Sequence, residues 1–527
     1  MVVHEELTRL KALPGTMAVE YLLGDVLTFA GAPRALAAEL PLRSGPVLRA
    51  ARRFYDTFDG RLYAAGLSCM CSDGRLVLLD GDAEVAWAQL ADGRERLLVR
   101  DLPAGTLRDA LAALVDVRAL LAVVEVRARM RTLALLDDEQ KTVVRAIVEE
   151  VSVVRAGRRP RPLEPRLRLM AVRGYERTLE RVQDALEQRV GLRRAERPLL
   201  DEAIIASGAT PGGTSSKVEI ELTAQERGDV AASVVLRRLL AVIEANLPGT
   251  LDDVDSEFLH DLRVAVRRSR AVQRELRGVF PPSELAHFRG EFRWLQRASG
   301  RARDIDVYVL EFDEFRLQLP KAVRGDLDPL LTVLRQRRAG AHRGMVRALR
   351  SERARSLLRE WGQFLVGIES GGVSGGPDAA QPIGDLAGAR IAKVYRRMVK
   401  MGRAIDADSP PDAYHEIRKQ GKELRYLLEL FGAPLYPADV VKPMTKVLKS
   451  FQDVLGRHQD REVQATMLRS FSDAVAAQPN GTVGLMAMGR LIERLEEQEA
   501  AAREEFAGRF AKFSSAAQRR LVRDTFR

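Results

Sequence analysis

The stretch His260-Asp-Leu-Arg-Val-Ala-Val-Arg-Arg decides the fold of the larger part of the chain, because a version of it returns as His415-Glu-Ile-Arg-Lys. Each copy is followed, in the same order, by a glutamine, a Gly-Arg pair and an aspartate. These partners are Gln296, Gly300-Arg301 and Asp304 for the first copy and Gln452, Gly456-Arg457 and Asp460 for the second. The histidines are 155 positions apart and the glutamines 156. Motifs that repeat in order at nearly one offset indicate an internal duplication.

Both copies show the periodicity of an amphipathic helix at 100° per residue. A basic stripe follows one side of each predicted helix. The stripes consist of His260, Arg263, Arg267, Arg270 and Arg274, and of His415, Arg418, Lys422 and Arg425. The predicted buried faces consist of Phe258, Leu262, Ser269, Leu276 and Phe280, and of Ile417, Leu424, Leu428 and Phe431. Helical side chains three or four residues apart lie roughly 5–6 Å from each other, so the stripes suit a polyanion better than a ligand with a single charge.

The composition also favours an acidic partner. The 527 residues include 84 Lys and Arg against 73 Asp and Glu, a net charge of +11, which fits nucleic acid, an anionic membrane or a polyphosphate. The two cysteines, Cys69 and Cys71, form neither a disulfide framework nor a zinc motif. Because the chain has no signal-peptide pattern and no apolar run of about 18 residues, we expect a cytoplasmic protein without a membrane span.

The chain is too long for one core and predicts two domains of different class. Up to about residue 154, short strand patterns such as 76–79 and 85–88 alternate with turn signals, which indicates an antiparallel sheet in an α+β domain. Helices are predicted over 106–121 and 173–194. The Gly-, Ser- and Thr-rich segment 207–216 has the composition of a linker.

From Thr223 onward the pattern is almost entirely helical. Prolines predict the ends of helices at Pro248-Gly249, Pro281-Pro282, Pro320, Pro410-Pro411, Pro434 and Pro437. A Gly-, Pro- and Ser-rich gap at 371–384 separates the two copies of the motif, where the joint of a duplication is expected. The last long helix is predicted over about 485–513.

The basic stripes have an ordinary explanation as solvated helix faces, but two observations favour phosphate binding. Eleven arginines stand against four acids between His260 and Arg303, whereas solubility alone is served by mixed charges. The stripe is also duplicated together with its histidine. Arginine forks bind phosphate oxygens in pairs, so phosphate binding is the favoured interpretation.

The histidines and aspartates of the motifs are each open to two interpretations. His260 and His415 could donate to phosphate or ligate a metal, and phosphate is favoured because Asp261 and Glu416 lie about 100° round the helix and are poor co-ligands. Asp304 and Asp460 are expected to pair with arginine or cap a helix rather than to act in catalysis. Nucleic-acid binding is less favoured, because aromatics make up 6% of the chain and do not alternate with the basic residues.

The C-terminal part, about 223–527, resembles the CHAD domain, a helical domain named for its histidines. The resemblance rests on His260-Asp-Leu-Arg-Val-Ala-Val-Arg-Arg, Arg303-Asp-Ile-Asp-Val, His415-Glu-Ile-Arg-Lys and Lys422-Glu-Leu-Arg-Tyr. It implies two pseudo-symmetric helical bundles, repeat 1 at about 223–370 and repeat 2 at about 385–527, around a basic channel that binds inorganic polyphosphate. The implied polyphosphate-binding residues are His260, Arg263, Arg267, Arg268, Arg270, Arg274, Arg301, Arg303, His415, Arg418, Lys419, Lys422, Arg425 and Arg457.

The N-terminal part, 1–199, resembles the CYTH or triphosphate tunnel fold, in which an antiparallel barrel holds a triphosphate and a divalent metal. The similar segments are Phe54-Tyr-Asp-Thr-Phe-Asp, Ala65-Gly-Leu, Glu125-Val-Arg-Ala-Arg and Glu149-Glu-Val. The paired glutamates of the opening strand are missing, with Glu20 as a weak substitute. Expected cation positions carry Cys69, Cys71 and Leu78, so the domain is identified as a degenerate member of this fold.

Together these patterns predict a polyphosphate-binding protein with a degenerate tunnel domain, a linker at 200–222 and a CHAD domain at 223–527. It would need no cofactor, and it would lie in the cytoplasm, with polyphosphate granules as a further location. One alternative is a triphosphatase or polyphosphatase that uses the N-terminal tunnel with Mg²⁺ or Mn²⁺. The second alternative is a helical nucleic-acid-binding protein.

Overall fold

The structure is a computed structural model that describes residues 19–25, 27–81, 83–90, 94–172, 174–406 and 409–526. The chain divides into two compact units, Met1–Ser216 and Lys217–Arg527. The predicted combination of an α+β domain with a helical one is confirmed, since the first unit contains an antiparallel sheet and the second is all helical. Among the described residues, no helix is both long and apolar enough to cross a membrane.

The first unit is built on eleven described strands, and every strand pairing between them is antiparallel. In chain order they are β1 (Val19–Leu22), β2 (Leu42–Asp56), β3 (Leu67–Ser72), β4 (Arg75–Asp80), β5 (Ala83–Gln89), β6 (Arg96–Leu97), β7 (Leu120–Leu136), β8 (Thr142–Val153), β9 (Arg161–Pro162), β10 (Arg166–Ala171) and β11 (Arg193–Arg194). The spatial order is β11-β1-β10-β8-β7-β2-β3-β4-β5, with β6 beside β7 and β9 beside β8.

The sheet is open, whereas the tunnel resemblance implied a barrel. Its end strands β5 and β11 do not pair with each other in the part of the chain that the structure describes. The long strand β7 contributes to three cores: Leu120 is buried in the first, Val124, Val126 and Ala128 in the second, and Leu133 and Leu135 in the third. The buried positions change from even to odd between residues 128 and 133, so opposite faces of one strand are covered at its two ends.

In the described part of this unit, five α-helices accompany the sheet: α1 (Ala32–Glu39), α2 (Arg61–Ala64), α3 (Thr106–Val115), α4 (Glu176–Ala185) and α5 (Leu199–Ser207). The helix predicted over 106–121 ends early, because Asp116 adopts a positive φ of 54° and β7 begins at Leu120. The helix predicted over 173–194 is also shorter than expected. It passes into a π-turn and stops at Gly191, after which Arg193–Arg194 pair with β1. Position 173 lies outside the described residues.

The predicted linker 200–222 begins with helix α5, which buries Ala203 and Ile204 against the sheet. The glycine-rich segment after it packs against the turn that follows β2. The amide of Thr214 donates to the Phe58 carbonyl at 2.8 Å, and a Cβ at Gly213 would collide with that same carbonyl. Glycine is therefore needed here for close packing as well as for its positive φ of 71°.

The second unit is formed by thirteen α-helices within the described residues. They are α6 (Gly228–Leu251), α7 (Ser256–Glu275), α8 (Pro282–Leu310), α9 (Phe312–Leu317), α10 (Asp328–Leu349), α11 (Glu352–Glu369), α12 (Ile383–Gly402), α13 (Pro411–Leu427), α14 (Ala433–Leu435), α15 (Ala438–Ser470), α16 (Ser472–Ala476), α17 (Gly481–Phe513) and α18 (Ala516–Thr525). One large hydrophobic core includes Leu262 and Phe292 from the first copy and Ile417 and Phe451 from the second.

Most proline signals coincide with helix ends, since α8, α13 and α15 begin at or directly after a predicted break. Two predicted breaks lie inside helices, because Pro248-Gly249 belong to α6 and Pro434 belongs to α14. Pro248 stands in the last turn, where the helix ends three residues later at Leu251, so the break is delayed by one turn. The gap at 371–384 is anchored at its centre, where the Gly376 amide donates to the Val279 carbonyl at 2.9 Å.

Candidate functional site

Helix α7 fixes the direction of the first basic stripe. Asp255 caps it by accepting hydrogen bonds from the amides of Glu257 at 2.9 Å and Phe258 at 3.3 Å, a standard way to satisfy the first amides of a helix. The predicted buried face is confirmed: Phe258, Leu262, Ser269, Leu276 and Phe280 are all buried. Because this face of α7 is buried, the face that carries His260 and Arg263 points away from the core.

Helix α13 repeats this arrangement. Its predicted buried residues Ile417, Leu424 and Leu428 are inaccessible to solvent. His415 is the fifth residue of α13, as His260 is of α7. The two histidines are therefore equivalent in the local structure as well as in the sequence.

The two motifs meet at one cavity of about 460 Å³. Seven of the predicted binding residues line it, and they come from both copies: His260, Arg263, Arg267, Arg303, His415, Arg418 and Lys422. Asp304, Glu311 and Asp460 are its described acidic residues. With neutral histidines, the described lining therefore carries more positive than negative side chains.

Arg263 is held by the neighbouring helix α8. Its Nη1 donates to the Gln296 carbonyl at 2.9 Å and to Ser299 Oγ at 3.1 Å. The pKa of Arg263 is lowered to about 10, mainly by burial; Asp304 opposes this shift, and the charges of Arg267 and Arg303 add to it. The guanidinium is thus fixed in position although its surroundings are unfavourable for its charge.

Lys422, from the second copy of the motif, is also a cation in surroundings that disfavour its charge. Burial lowers the pKa of Lys422 to about 8, with Arg418 and Arg267 as the next causes. Arg267 Nε is also buried without a hydrogen-bond partner among the described residues. Desolvation and repulsion between cations both disfavour the charged form, and a bound anion would relieve both.

The acidic residues compensate only part of this charge. Asp460 accepts a hydrogen bond from Arg418 Nη2 at 2.9 Å, so the expected pairing with arginine is present in the second copy. Asp304 lies in the field of Arg263, Arg267 and Arg303, but desolvation raises its pKa above the ordinary value. Desolvation also raises the pKa of Glu311.

His415 is oriented by a glutamine that the sequence interpretation missed. Gln459 Nε2 donates to Glu462 at 3.0 Å, which directs Gln459 Oε1 toward His415 Nδ1 at 2.6 Å. Since the amide oxygen is an acceptor, His415 Nδ1 carries a hydrogen. The other ring nitrogen can then donate to a phosphate only when the imidazole is protonated.

His260 belongs to a group of three side chains whose potential metal-ligand atoms lie within 4.8 Å of one another, and it is the one such group among the described residues. Its other members are Glu257 and Asp261. The sequence predicts that Asp261 is a poor co-ligand because it lies about 100° round the helix, and in the structure its ligand atom lies within 4.8 Å of those of His260 and Glu257. Arg303 Nη1 lies 3.6 Å from the Glu257 carboxylate, so this acidic group already has a cationic neighbour.

The outer residues of the stripes lie outside the cavity lining and are mostly paired. Arg268 and Arg425 both form ion pairs with Glu429, and Arg274 pairs with Glu275 and Glu423. The helical periodicity of a sequence predicts which face of a helix a side chain occupies. It does not predict which acidic residues of a neighbouring helix pack against that face.

The remaining predicted residues are also dispersed. Arg270 donates to the side chain of Gln296, and Lys419 and Arg457 form exposed ion pairs with Glu416 and Glu505. Arg301 is exposed on α8 outside the cavity lining. The two copies differ here, because the Gln452 amide has no hydrogen-bond partner among the described residues, whereas Gln296 accepts from Arg270.

Two further lining residues have a helical relation to the motif aspartates. Tyr308 follows Asp304 by four positions and Gln464 follows Asp460 by four. Residues four apart share a helix face, so this spacing could have identified both. Gln464 Nε2 also donates to Glu311 at 2.8 Å, which links α15 to the residue at the end of α8.

The tunnel-like unit contains a different cluster of charges. Arg166 and Glu149 are almost completely buried, and Arg166 pairs with Glu20 and with Glu202. Arg52 lies 3.3 Å from Glu149. Charges of both signs therefore converge on the sheet, but each described arginine of the cluster has a carboxylate neighbour.

The residues at the expected cation positions of the tunnel are buried and apolar in character. Cys69, Cys71 and Leu78 belong to the hydrophobic core between the sheet and α3, and both cysteines are free thiols. Burial raises the pKa of both thiols. These side chains cannot supply positive charge to a triphosphate.

Comparison with known proteins identifies the helical unit. The CHAD domain family profile matches residues 234–469, so the chain contains a CHAD domain, and the N-terminal sheet is consistent with a tunnel-like fold. Two uncharacterized proteins of Mycobacterium tuberculosis, from strains CDC 1551 / Oshkosh and ATCC 25618 / H37Rv, are 30% identical over 336 residues. The match covers 58% of this chain and 61% of each relative, so it spans less than two thirds of their length.

Two solved structures are also similar to part of the chain. The crystal structure of the CHAD domain from the plant Ricinus communis is 22% identical with a TM-score of 0.47, and covers 56% of this chain and 95% of its own. PptA from Streptomyces chartreusis is 20% identical with a TM-score of 0.41, and covers 54% of this chain and 99% of its own.

Proposed function

We propose that the chain binds inorganic polyphosphate in the cavity shared by the two copies of the motif. The observation that carries this proposal is the set of desolvated cations that face one another there, above all Arg263, Arg267 and Lys422. Polyphosphate binding is the general function of the CHAD family, and the negative charge of a polyphosphate chain is complementary to this lining. The remaining residues of the two stripes, and Arg301 and Arg457, are proposed as outer contacts for longer chains.

The chemistry of the lining fits phosphate groups in a chain. Guanidinium forks bind two oxygens of one phosphate, and an ammonium group acts as a point charge. Each phosphate that enters the cavity would reduce the repulsion between cations that now lowers the pKa values of Arg263 and Lys422. Because several phosphates can act at once, long polyphosphate should bind more tightly than tripolyphosphate.

Isothermal titration of the full chain with polyphosphate tests the proposal. The variant Arg267→Gln/Lys422→Gln removes one cation from each copy, and we expect at least tenfold weaker binding, since 1.4 kcal/mol corresponds to tenfold. Arg343→Gln/Arg347→Gln is the matched control, because both residues are exposed on α10 outside the cavity lining. Equal losses in the two variants would show that only net charge matters.

A competition experiment separates polyphosphate from nucleic acid. Affinity for either polyanion should fall with salt because bound counterions are released. At matched salt and phosphate concentration, polyphosphate should displace single-stranded DNA from the chain, because the described cavity lining contains no row of stacking aromatics. Displacement of polyphosphate by DNA would favour the nucleic-acid alternative.

A further inference from the structure

A second groove lies between α12 and α18. It encloses about 870 Å³, which is within the range of about 300–1,000 Å³ typical of small-ligand sites. The described lining extends along α12 from Ala389 to Lys400, a length of about 16 Å at 1.5 Å per helical residue, and continues to Arg403 and Ala404 directly after the helix. The groove is therefore elongated.

The floor of the groove is apolar. Ala392, Val399, Val522 and Phe526 contribute to it and are nearly inaccessible to solvent. Tyr395 also belongs to the floor, but its hydroxyl donates to the Phe513 carbonyl at 2.8 Å and is therefore already satisfied. A ligand on this floor gains mainly from burial of apolar surface.

The rim of the groove is basic. Its described lining includes Arg396, Lys400, Arg403, Arg519 and Arg523 and no acidic residue. Arg523 pairs with Asp524, whereas the other four have no carboxylate within 4.0 Å in the described part of the chain. Unpaired cations around an apolar floor are complementary to a ligand with both an alkyl part and a negative charge.

The charges are concentrated toward one end. Lys400 and Arg403 lie at the C-terminal end of α12. Arg519 lines the groove from α18, and Arg519 and Arg403 are both close enough to Tyr395 to oppose the rise to about 12 that burial causes in its pKa. The other end of the lining on α12 consists of Ala389 and Ala392. The groove thus has a basic end and an apolar end.

We propose that this groove binds a small anionic amphiphile, a molecule with one alkyl chain and a phosphate or carboxylate head. The alkyl chain would lie along the floor toward Ala389, and the head group would contact Arg403 and Arg519. This site is separate from the proposed polyphosphate site, because the two linings share no described residue.

Titration of the full chain with dodecyl phosphate below its critical micelle concentration tests the proposal. We expect saturable binding, at least tenfold weaker binding of octyl phosphate because four methylene groups are lost, and no binding of inorganic phosphate at the same concentration. Laurate has a carboxylate head group in place of the phosphate, so the ratio of its affinity to that of dodecyl phosphate shows which head group the groove prefers. Equal binding of zwitterionic dodecylphosphocholine would overturn the proposal.

Two variants locate the ligand. Arg403→Gln/Arg519→Gln should weaken dodecyl phosphate binding at least tenfold, while Lys393→Gln/Arg520→Gln, on the same helices but outside the lining, should leave it unchanged. Ala389→Trp fills the apolar end without removing charge and should also weaken binding. Unchanged binding in both groove variants, or an equal loss in the control, would overturn the proposal.

Measurement of polyphosphate binding distinguishes the groove from the proposed polyphosphate site. Arg403→Gln/Arg519→Gln should bind polyphosphate as the wild type does, and polyphosphate should not displace dodecyl phosphate. Competition between the two ligands would mean that they share one site and would overturn the proposal of a separate groove. If Arg403→Gln/Arg519→Gln lost polyphosphate binding but kept dodecyl phosphate binding, the proposed location of polyphosphate in the motif cavity would be contradicted instead.

Discussion

The buried charges of the tunnel-like sheet and those of the helical cavity are arranged in opposite ways. In the sheet, Arg166 is enclosed by the carboxylates of Glu20 and Glu202. In the cavity, Lys422 faces Arg418 and Arg267, and its pKa falls to about 8. A compensated cluster leaves no charge for a ligand to neutralise, and removal of one of its members destabilises the fold. Cations that face one another are instead arranged for an anion that comes from outside.

The largest expected effect comes from breaking the compensated cluster. Arg166→Met leaves two carboxylates without their cation in a buried place, and removal of one partner of a buried ion pair costs about 3–5 kcal/mol. We expect a loss of stability of about this size in the tunnel-like unit. The measurement is urea unfolding of the full chain, with hydrogen exchange of β1 and β10 as the local readout.

The control for this variant is Arg129→Met, since Arg129 pairs with Glu150 at the surface. Exposed pairs contribute about 0–1 kcal/mol, so stability should change little. Equal effects of the two substitutions would show that the buried arginine is not the centre of the cluster.

The second effect concerns ligand binding. Arg263→Ala/Arg267→Ala should weaken polyphosphate binding at least tenfold, because charge-assisted hydrogen bonds contribute about 1.5–3 kcal/mol each. Arg268→Ala/Arg274→Ala removes two arginines that already have glutamate partners and should weaken binding much less. Isothermal titration at two salt concentrations measures both.

The fold of these variants must be checked by circular dichroism. The stripe lies off the buried face of α7, so the helical signal should persist in both variants. If the outer pair proved as important as the inner pair, polyphosphate would follow the whole stripe rather than the cavity.

The sequence predicted much of the helical unit because helical periodicity and proline positions are local signals. The buried face with Phe258 and Leu262, the equivalent starts of α7 and α13, and the helix breaks at Pro281 and Pro410 all follow from neighbours within a few residues. The pairing of Arg274 with Glu423 could not be predicted, because it depends on how α7 packs against α13. The groove beside α12 was missed for the same reason, since its walls are over a hundred residues apart.

The third effect is a pH dependence of binding. Lys422 has a pKa of about 8 in the free protein, and a bound polyanion would raise it, so binding takes up a proton where Lys422 is neutral. The affinity should therefore be highest below pH 8 and fall about three- to tenfold between pH 7 and pH 9. Lys422→Arg should abolish this fall, because arginine keeps its charge.

Titrations at several pH values, in buffers of different ionisation enthalpy, measure both the affinity and the proton uptake. Proton uptake near pH 8.5 is expected for the wild type and not for Lys422→Arg. An unchanged affinity up to pH 9.5 would mean that Lys422 is not at the phosphate contact.

The smallest expected effect is on catalysis. The full chain should release no phosphate from tripolyphosphate with Mg²⁺ or Mn²⁺, since the expected cation positions are occupied by Cys69, Cys71 and Leu78 in an apolar core. The two arginines of the buried cluster, Arg52 and Arg166, already have carboxylate neighbours, and a triphosphate bound there would have to displace those carboxylates. Metal binding would have to draw on the same carboxylates, and within the described ranges the acidic and histidine ligand atoms converge only around His260, in the other unit. Metal-dependent phosphate release that is lost in Glu149→Gln, but retained in Arg263→Ala/Arg267→Ala, would show that the sheet is an active site and that paired charges alone do not identify a structural cluster.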